Sequence, residues 1–499
     1  MLARPNFLVP ADFPLDPSRR REVDVRIVSS APTDAQVLGV PVTASGEVPE
    51  AVGLGRAELR ALGFTASQGA TLVVPSGSGP TVIAVGVGDG ALGTGQLRDA
   101  SAALARAASG FTRVASLLAE AADPEEEAEP VTEALVEGAV LARYRYDALK
   151  TDPTTVPLER LYLVGGGSDA AVQRALTLAH AGMLARDLAS APPAHLTATR
   201  FADLAAELGP QYGLEVDVYD REQLIELGCG GLLGVNAGSV EEPRMVRLRY
   251  RVEHPAGHLG LVGKGIMYDS GGIALKPGDV MHQAMKMDMS GAAAVFSAML
   301  ALRDLDCPSD VTGYLMCTDN MPSGSATALG DVLHMRSGTT VEVKNTDAEG
   351  RLVMADALAL ATEEGVDAVI DIATLTGAAL RALGTLIAPV FGNDQRIVDQ
   401  VMSASRRSGE ELWQLPLDRR LRRQLDSVVA DLANIGGPHA GATTAALFLA
   451  EFVGDTPWAH LDIAGTMQSD RDDAWRTKGP TGFGARLLAE FATAFAPTR

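Results

Sequence analysis

Two stretches of the chain concentrate charge in apolar company. In LVGKGIMYDSGGIALKPGDVMHQAMKMDMSG (261–291), Lys264, Asp269, Lys276 and Asp288 are set among Leu, Ile, Met, Tyr and Ala. Carboxylates in such surroundings are partly buried, and buried charge requires a partner or a metal. In NTDAEGRL (345–352), Asp347, Glu349 and Arg351 alternate with small residues, so an extended segment would aim all three to one side. An acidic pair two residues apart is by itself commonly a solvated loop. Here Val341 and Val343 lead in and the helix-like run LVMADALALA follows, which makes the segment a strand-to-helix corner, where open α/β sheets bind ligands. Together the stretches supply four carboxylates, two lysines and an arginine, with no histidine at a ligand position. Oxygen ligands suit hard or borderline divalent ions, and so dense a set of carboxylates repels itself unless cations sit in it. Two divalent ions would balance four carboxylates.

The elements that must position these groups follow from periodicity. Leu259 to Val262 reads as a buried strand ending at Gly263, and Gly265, Gly271, Gly272 and Gly278 let the backbone turn between the charges. GAAAVFSAMLAL (291–302) reads as a buried helix behind the charged cluster. In the first part of the chain, strands such as VDVRIVS, TLVVPS, TVIAVGVG and LYLVGGG alternate with Ala-rich helical runs, the pattern of an α/β domain with parallel strands. Its glycine clusters GVGDG (86–90) and VGGGS (164–168) lack the full GxGxxG frame of a dinucleotide site. DPEEEAEP (123–130) reads as a solvated loop, EGAVLARYRYDALK (137–150) as a helix, and a helix over 170–188 as the bridge between domains. At 499 residues the chain is too long for one ordinary core, and the boundary is set near residue 180.

Composition excludes several classes. A formal net charge of −21 disfavours nonspecific binding to nucleic acid or to an anionic membrane. No apolar run reaches the roughly 18 residues that span a bilayer. The first 21 residues carry four prolines and place their arginines mostly after the apolar part, the wrong order for a signal peptide, so an irregular leader is expected. Cys229, Cys307 and Cys317 have neither disulfide-framework nor zinc-finger spacing and read as packed thiols, which fits a reducing cytoplasm. The dense basic run Arg419, Arg420, Arg422 and Arg423 has helical spacing and reads as a charged outer face. His439 and His460 read as packing or hydrogen-bonding histidines rather than ligands.

VGKGIMYDSGGIALKPG, MKMDMSGAAA and NTDAEGRL closely resemble the leucyl (cytosol) aminopeptidase family. DLASAPPAHLT (187–197), LGCGGLLGVNAGS (227–239), NMPSGSAT (320–327), DIATLTGAAL (371–380), ADLANIGG (430–437) and HLDIAGT (460–466) match it in order. The likeness is nearly continuous from about Arg186 to the C-terminus. It implies a smaller noncatalytic N-terminal α/β domain (1–180) and a larger C-terminal α/β catalytic domain (181–499) with a central mixed sheet flanked by helices. It also implies a hydrolase that releases N-terminal amino acids from peptides at a site holding two divalent ions, manganese or zinc. By motif, Asp269 and Glu349 would bridge both ions, Lys264 and Asp288 would hold the tighter one, and Asp347 the exchangeable one. Lys276 and Arg351 would be catalytic, Arg351 holding a bicarbonate ion. Met285 and Thr374 would line the pocket for the first side chain, with the Leu375 backbone bonding the substrate. A preference for leucine and other neutral residues, a homohexamer and a cytoplasmic location complete the expectations.

The chain departs from the family in carrying one extra residue around 279–283, in Leu329-Gly330-Asp331 after the NMPSG loop, and in SAPPAH. Two competing readings remain at this stage. A DNA-binding role on the same fold would use the Arg419–Arg423 run, and a two-metal phosphoesterase would use the same carboxylates but would usually bring histidine ligands.

Overall fold

The computed structural model describes residues 13–77 and 79–498, so most of the expected leader lies outside the described residues. The chain divides into two compact units, one of residues 17–183 with 469–479, the other of residues 184–468 with 13–16 and 480–498. The division falls inside the helix Asp169–Ser190. Sequence gave no sign that a short segment near the C-terminus, 469–479, belongs with the first unit.

The first unit is built on six strands in the order Asp24–Val28, Arg160–Val164, Arg113–Ser116, Val37–Thr43, Thr81–Gly88, Thr71–Val74, all parallel except the last pair. Helices Thr94–Ala107 and Ala128–Ala142 cross closely at Gly138, where a Cβ would stand 2.1 Å from the Arg98 carbonyl oxygen. The second helix thus begins inside the stretch expected to be a solvated loop, because Pro130 falls in its first turn, where a missing N–H costs nothing. It ends at Ala142, short of the expected span. The glycine cluster at 86–90 has a packing cause: a Cβ on Gly86 would lie 2.2 Å from the Ser67 carbonyl oxygen.

The second unit carries eight strands in the order Leu412–Gln414, Ala388–Gly392, Trp458–Asp462, Ala368–Ala373, His258–Asp269, Asp310–Asn320, Arg244–Tyr250, Glu215–Tyr219. The central four are parallel and the flanks include antiparallel pairs, so the sheet is mixed. The strand expected to stop at Gly263 runs on to Asp269. Gly263 serves packing instead, since a Cβ there would stand 2.7 Å from Ala292 Cα. Gly260, on the other face, sits 3.5 Å by its Cβ direction from Ala361 Cβ. Helices Ser290–Ala301 and Gly350–Glu363 therefore cover opposite faces of one strand. The first is buried along its whole length, as its uninterrupted apolar sequence requires.

The three cysteines are free and buried, and burial pushes the Cys229 and Cys317 thiols up to about 12. Arg419–Leu425 is a 3-10 helix, not the longer α-helix its spacing indicates, and Arg420 and Arg422 pair with Asp418, Asp426 and Glu451. Among the described residues no helix is long and apolar enough to cross a membrane.

Candidate metal centre

The site forms at the carboxyl ends of adjacent central parallel strands, the position open α/β sheets reserve for ligands. Asp269 ends one strand and pairs in register with Asn320 at the end of the next, and Thr374 follows a third. Lys264 reaches the same place from mid-strand, on the face covered by Gly350–Glu363. Just past Asp269 the backbone turns through left-handed glycines, Gly271 at φ 89° and Gly272 at φ 64°. A Cβ on Gly271 would approach Asp347 Oδ1 to 2.9 Å, so the turn must be bare for that carboxylate to enter.

The second acidic stretch is not extended. Asp347 lies in a turn, Glu349 is the helical N-cap at φ −75° and ψ −36°, and Arg351 sits in the first turn of the helix. Alternation therefore does not align the three side chains, and hydrogen bonds shape the corner instead. Buried Asn434 accepts from the Lys344 N–H at 2.8 Å and donates to the Asn345 and Ala348 carbonyls at 2.7 and 3.3 Å. The Asp347 N–H donates to Asn345 Oδ1 at 2.9 Å. The Thr346 hydroxyl donates to the Gly271 carbonyl at 2.7 Å and ties the corner to the glycine turn.

Oxygens of Asp269, Asp347 and Glu349 lie within 4.8 Å of one another. Lys264 Nζ is 2.8 Å from Asp288 Oδ2 and 2.8 Å from Glu349 Oε1, and donates to the Thr374 carbonyl at 2.9 Å. Lys276 Nζ is 2.7 Å from Asp269 Oδ2 and 2.5 Å from Asp347 Oδ1. The Asn320 amide donates to Asp269 Oδ1 at 2.8 Å and to the Thr346 carbonyl at 2.9 Å. The Thr374 hydroxyl donates to Asp288 Oδ1 at 2.7 Å. Six of the seven charged residues singled out in the sequence are thus gathered in one cluster, and Arg351 feels the charge of Glu349.

Burial, the largest single effect on each, raises Asp288, Asp347 and Glu349 above the usual carboxylate range, and neighbouring carboxylates add to it. On Lys264 burial acts downward, but Asp288, Glu349 and Asp269 outweigh it and hold the amine above the ordinary lysine range. Lys276 behaves alike, through Asp269 and Glu349. Arg351 is pushed down to about 10 by burial, against the pull of Glu349 and Asp462. Among the described residues its Nε and Nη1 atoms are buried without hydrogen-bond partners, as is Glu349 Oε2. Asp288 Oδ2 and Asp347 Oδ1 face lysine amines at 2.8 and 2.5 Å.

The remaining expected residues fall beside the cluster. Met285 is buried in the short 3-10 helix Met285–Met287 that leads into Asp288, and Thr374 is buried between Lys264 and Asp288. Leu375 is half-buried, and its N–H is bonded to Asp462 at 3.1 Å, so what it offers a ligand is its carbonyl. The stretch 279–283, expected to carry one extra residue, lies in the one-turn helix Val280–Ala284 and its N-cap Asp279, and Val280 there is 78% exposed. His460 is fully buried and pairs with Asp371 at 2.5 Å, whereas His439 is exposed. Sequence reasoning assigned no role to Asn320, Asn434 or Asp462, although NMPSGSAT, ADLANIGG and HLDIAGT contain them. Uncharged amides, and a carboxylate bonded mainly to backbone N–H groups, give no pattern of their own.

A model of the cytosol aminopeptidase family, catalytic domain, matches residues 183–489, and one of the cytosol aminopeptidase family, N-terminal domain, matches residues 43–153. A probable cytosol aminopeptidase of Streptomyces avermitilis is 42% identical, over 92% of this chain and 95% of the relative. One from Leifsonia xyli is 40% identical, over 94% and 97%. Among solved structures, the bottromycin maturation enzyme BotP in complex with Mn is 41% identical with a TM-score of 0.86, over 92% of this chain and 99% of that one. A mutant of tomato leucine aminopeptidase is 29% identical with the same TM-score of 0.86, over 95% and 97%.

Proposed function

Since the chain belongs to the cytosol aminopeptidase family of metallo-exopeptidases, we propose that it releases N-terminal residues from peptides at a pair of divalent ions, manganese or zinc. Lys264, Asp269, Asp288, Asp347 and Glu349 would hold them. One observation carries this reading: four carboxylates converge in a largely buried site where Glu349 Oε2 has no protein partner. That donor set, all oxygen apart from one amine, fits hard or borderline dications. When bound, such a pair lowers the pKa of a water between them toward neutrality and so supplies the nucleophile.

The chain's own groups do the rest. Lys264 is held protonated by Asp288 and Glu349, so to act as a ligand it must give up its proton, and ion binding is therefore favoured as pH rises. Lys276 keeps its charge and is placed to stabilise the oxyanion that develops on the scissile carbonyl. Arg351 presents two buried nitrogens that are unpartnered among the described residues, a fit for a planar anion such as bicarbonate, which would supply a general base and acid there. The substrate's free α-amine and its scissile carbonyl would both be held at the ions, which would restrict attack to the first peptide bond, while the Leu375 carbonyl could accept a hydrogen bond from the substrate.

Met285 adapts to varied apolar shapes, and each methylene discriminates by only about 1–3 kcal/mol, so the preference is for leucine with broad tolerance of neutral side chains. A cytoplasmic homohexamer is part of the same reading. The test is a panel of aminoacyl-p-nitroanilides with manganese present. Leu should turn over fastest and N-acetyl-Leu not at all; faster hydrolysis of the Asp or Lys derivative would contradict the specificity.

A further inference from the structure

Asp462 ends the strand Trp458–Asp462 and is 1% exposed, yet it touches neither lysine of the candidate centre. Its Oδ1 accepts the N–H groups of Leu375 at 3.1 Å, Thr376 at 3.2 Å and Ala464 at 3.2 Å. Its Oδ2 accepts the Thr376 hydroxyl at 2.7 Å. Three of these four bonds go to one short segment, Leu375 and Thr376.

That segment includes a peptide group with two opposite duties. The Leu375 N–H and the Thr374 carbonyl belong to the same peptide unit, which is planar and trans, so they point in opposite directions. Asp462 holds the N–H end, and the carbonyl end accepts from Lys264 Nζ at 2.9 Å. The Thr374 side chain continues the chain of contacts to Asp288 Oδ1 at 2.7 Å. Fixing one end of a rigid plane fixes the other.

We propose that Asp462 is a positioning residue: by orienting the Thr374–Leu375 peptide it sets the Lys264 amine and the Asp288 carboxylate, and with them the affinity for the tighter ion. This rests on the metal reading of the site. It also sets the wall of the first-residue pocket, since Thr374 and Leu375 would line it. Helix Gly377–Leu383 would be held by the same carboxylate through Thr376, whose hydroxyl accepts the Ala379 N–H at 3.0 Å. A purely structural role through that helix would change stability and leave metal affinity alone.

The experiment is calorimetric titration of manganese into chelator-stripped full-length protein, with melting curves on every variant and kcat and KM for Leu-p-nitroanilide. Asp462→Ala should weaken the tighter ion about 10–100-fold, the usual cost of removing a group that orients a ligand. It should also raise KM as well as lower kcat. Asp462→Asn, which keeps an acceptor for the N–H groups, should restore affinity to within about threefold by the same reasoning. Asp462→Glu, charged but a methylene longer, should fall between them. Manganese affinity unchanged in Asp462→Ala, or in Asp462→Glu should the alanine variant not fold, would overturn the proposal. So would an asparagine variant as weak as alanine, which would make charge rather than geometry the cause. Wild-type protein that took up no manganese would contradict the metal reading itself, and this inference with it.

Discussion

Gly350→Ala offers a small change whose effect can be worked from distances. A Cβ at position 350 would stand 2.6 Å from Lys264 Cε, 2.8 Å from Nζ and 2.9 Å from Cδ. Carbon atoms in comfortable contact are about 3.5 Å apart or more, so the lysine must retreat by about 0.9 Å. It has little freedom to do so harmlessly: it is 2% exposed, and its amine is tied to Asp288, Glu349 and the Thr374 carbonyl at 2.8, 2.8 and 2.9 Å. Hydrogen bonds fade beyond about 3.2 Å, so a retreat of that size takes the amine out of reach of some of these partners. The helix itself gains from the substitution, by up to about 1 kcal/mol, so the fold should survive and the damage should be local. Manganese affinity should drop about 10–100-fold, as for other groups that orient a ligand. At limiting manganese, kcat/KM should fall in step, about 1.4 to 2.7 kcal/mol in free energy. Calorimetry on the stripped protein, with thermal melts alongside, measures both. A folded Gly350→Ala protein with affinity and rate within about twofold of wild type would refute the argument that Lys264 is held in place for the ion.

Three further outcomes are expected. Asp356 is fully buried and burial pushes it up to about 7, against hydrogen bonds from the N–H groups of Arg336 and Leu232. The folded state then keeps a proton that the unfolded chain releases near pH 4, so stability should decline as pH rises from about 4 to about 7, by as much as a few kcal/mol. Urea midpoints in that window should depend less on pH in Asp356→Asn, and an unchanged dependence would exclude Asp356 as the source. Arg351→Ala should lose about 100-fold or more in kcat, and its residual rate in carbon-dioxide-free buffer should not respond to added bicarbonate, whereas the wild-type rate should rise; equal responses would exclude Arg351 as the bicarbonate site. Gly263→Ala would force a Cβ to within 2.7 Å of both Ala292 Cα and the Gly291 carbonyl oxygen, and should cost about 1–3 kcal/mol in chemical denaturation. No loss would mean that strand and helix can separate freely.

Charge in apolar surroundings was the strongest signal in the sequence. Lys264, Asp269, Lys276, Asp288, Asp347, Glu349 and Arg351 could be singled out because a buried charge must be answered by another group, and the chain spends no ionisable residue idly in such places. How they meet was less legible. The alternation of NTDAEGRL indicates an extended segment, whereas Asn434, 86 to 90 positions from the residues it bonds, folds it into a turn and a helix start. Gly263 looked like a strand end because glycine breaks strands in isolation, but its bareness serves the close approach of Ala292, a tertiary demand that a local reading cannot see. The helix over Ala128–Ala142 was misplaced for a related reason: Glu129 and Pro130 read as a solvated turn until the burial of Val131, Ala134 and Leu135 decides for a helix. The α/β alternation of the first unit follows from its apolar strands and the mixed central sheet of the second from the resemblance to the family, whereas the return of residues 469–479 to the first unit leaves no trace in composition.

The most direct measurement is manganese binding by chelator-stripped protein, followed by hydrolysis of Leu-p-nitroanilide as each metal is restored in turn. Two ions should bind per chain, activity should be absent without them and return with manganese or zinc, and Glu349→Gln should lose both uptake and turnover. Full activity in the presence of excess chelator, or uptake of two ions undisturbed by Glu349→Gln, would contradict the central claim.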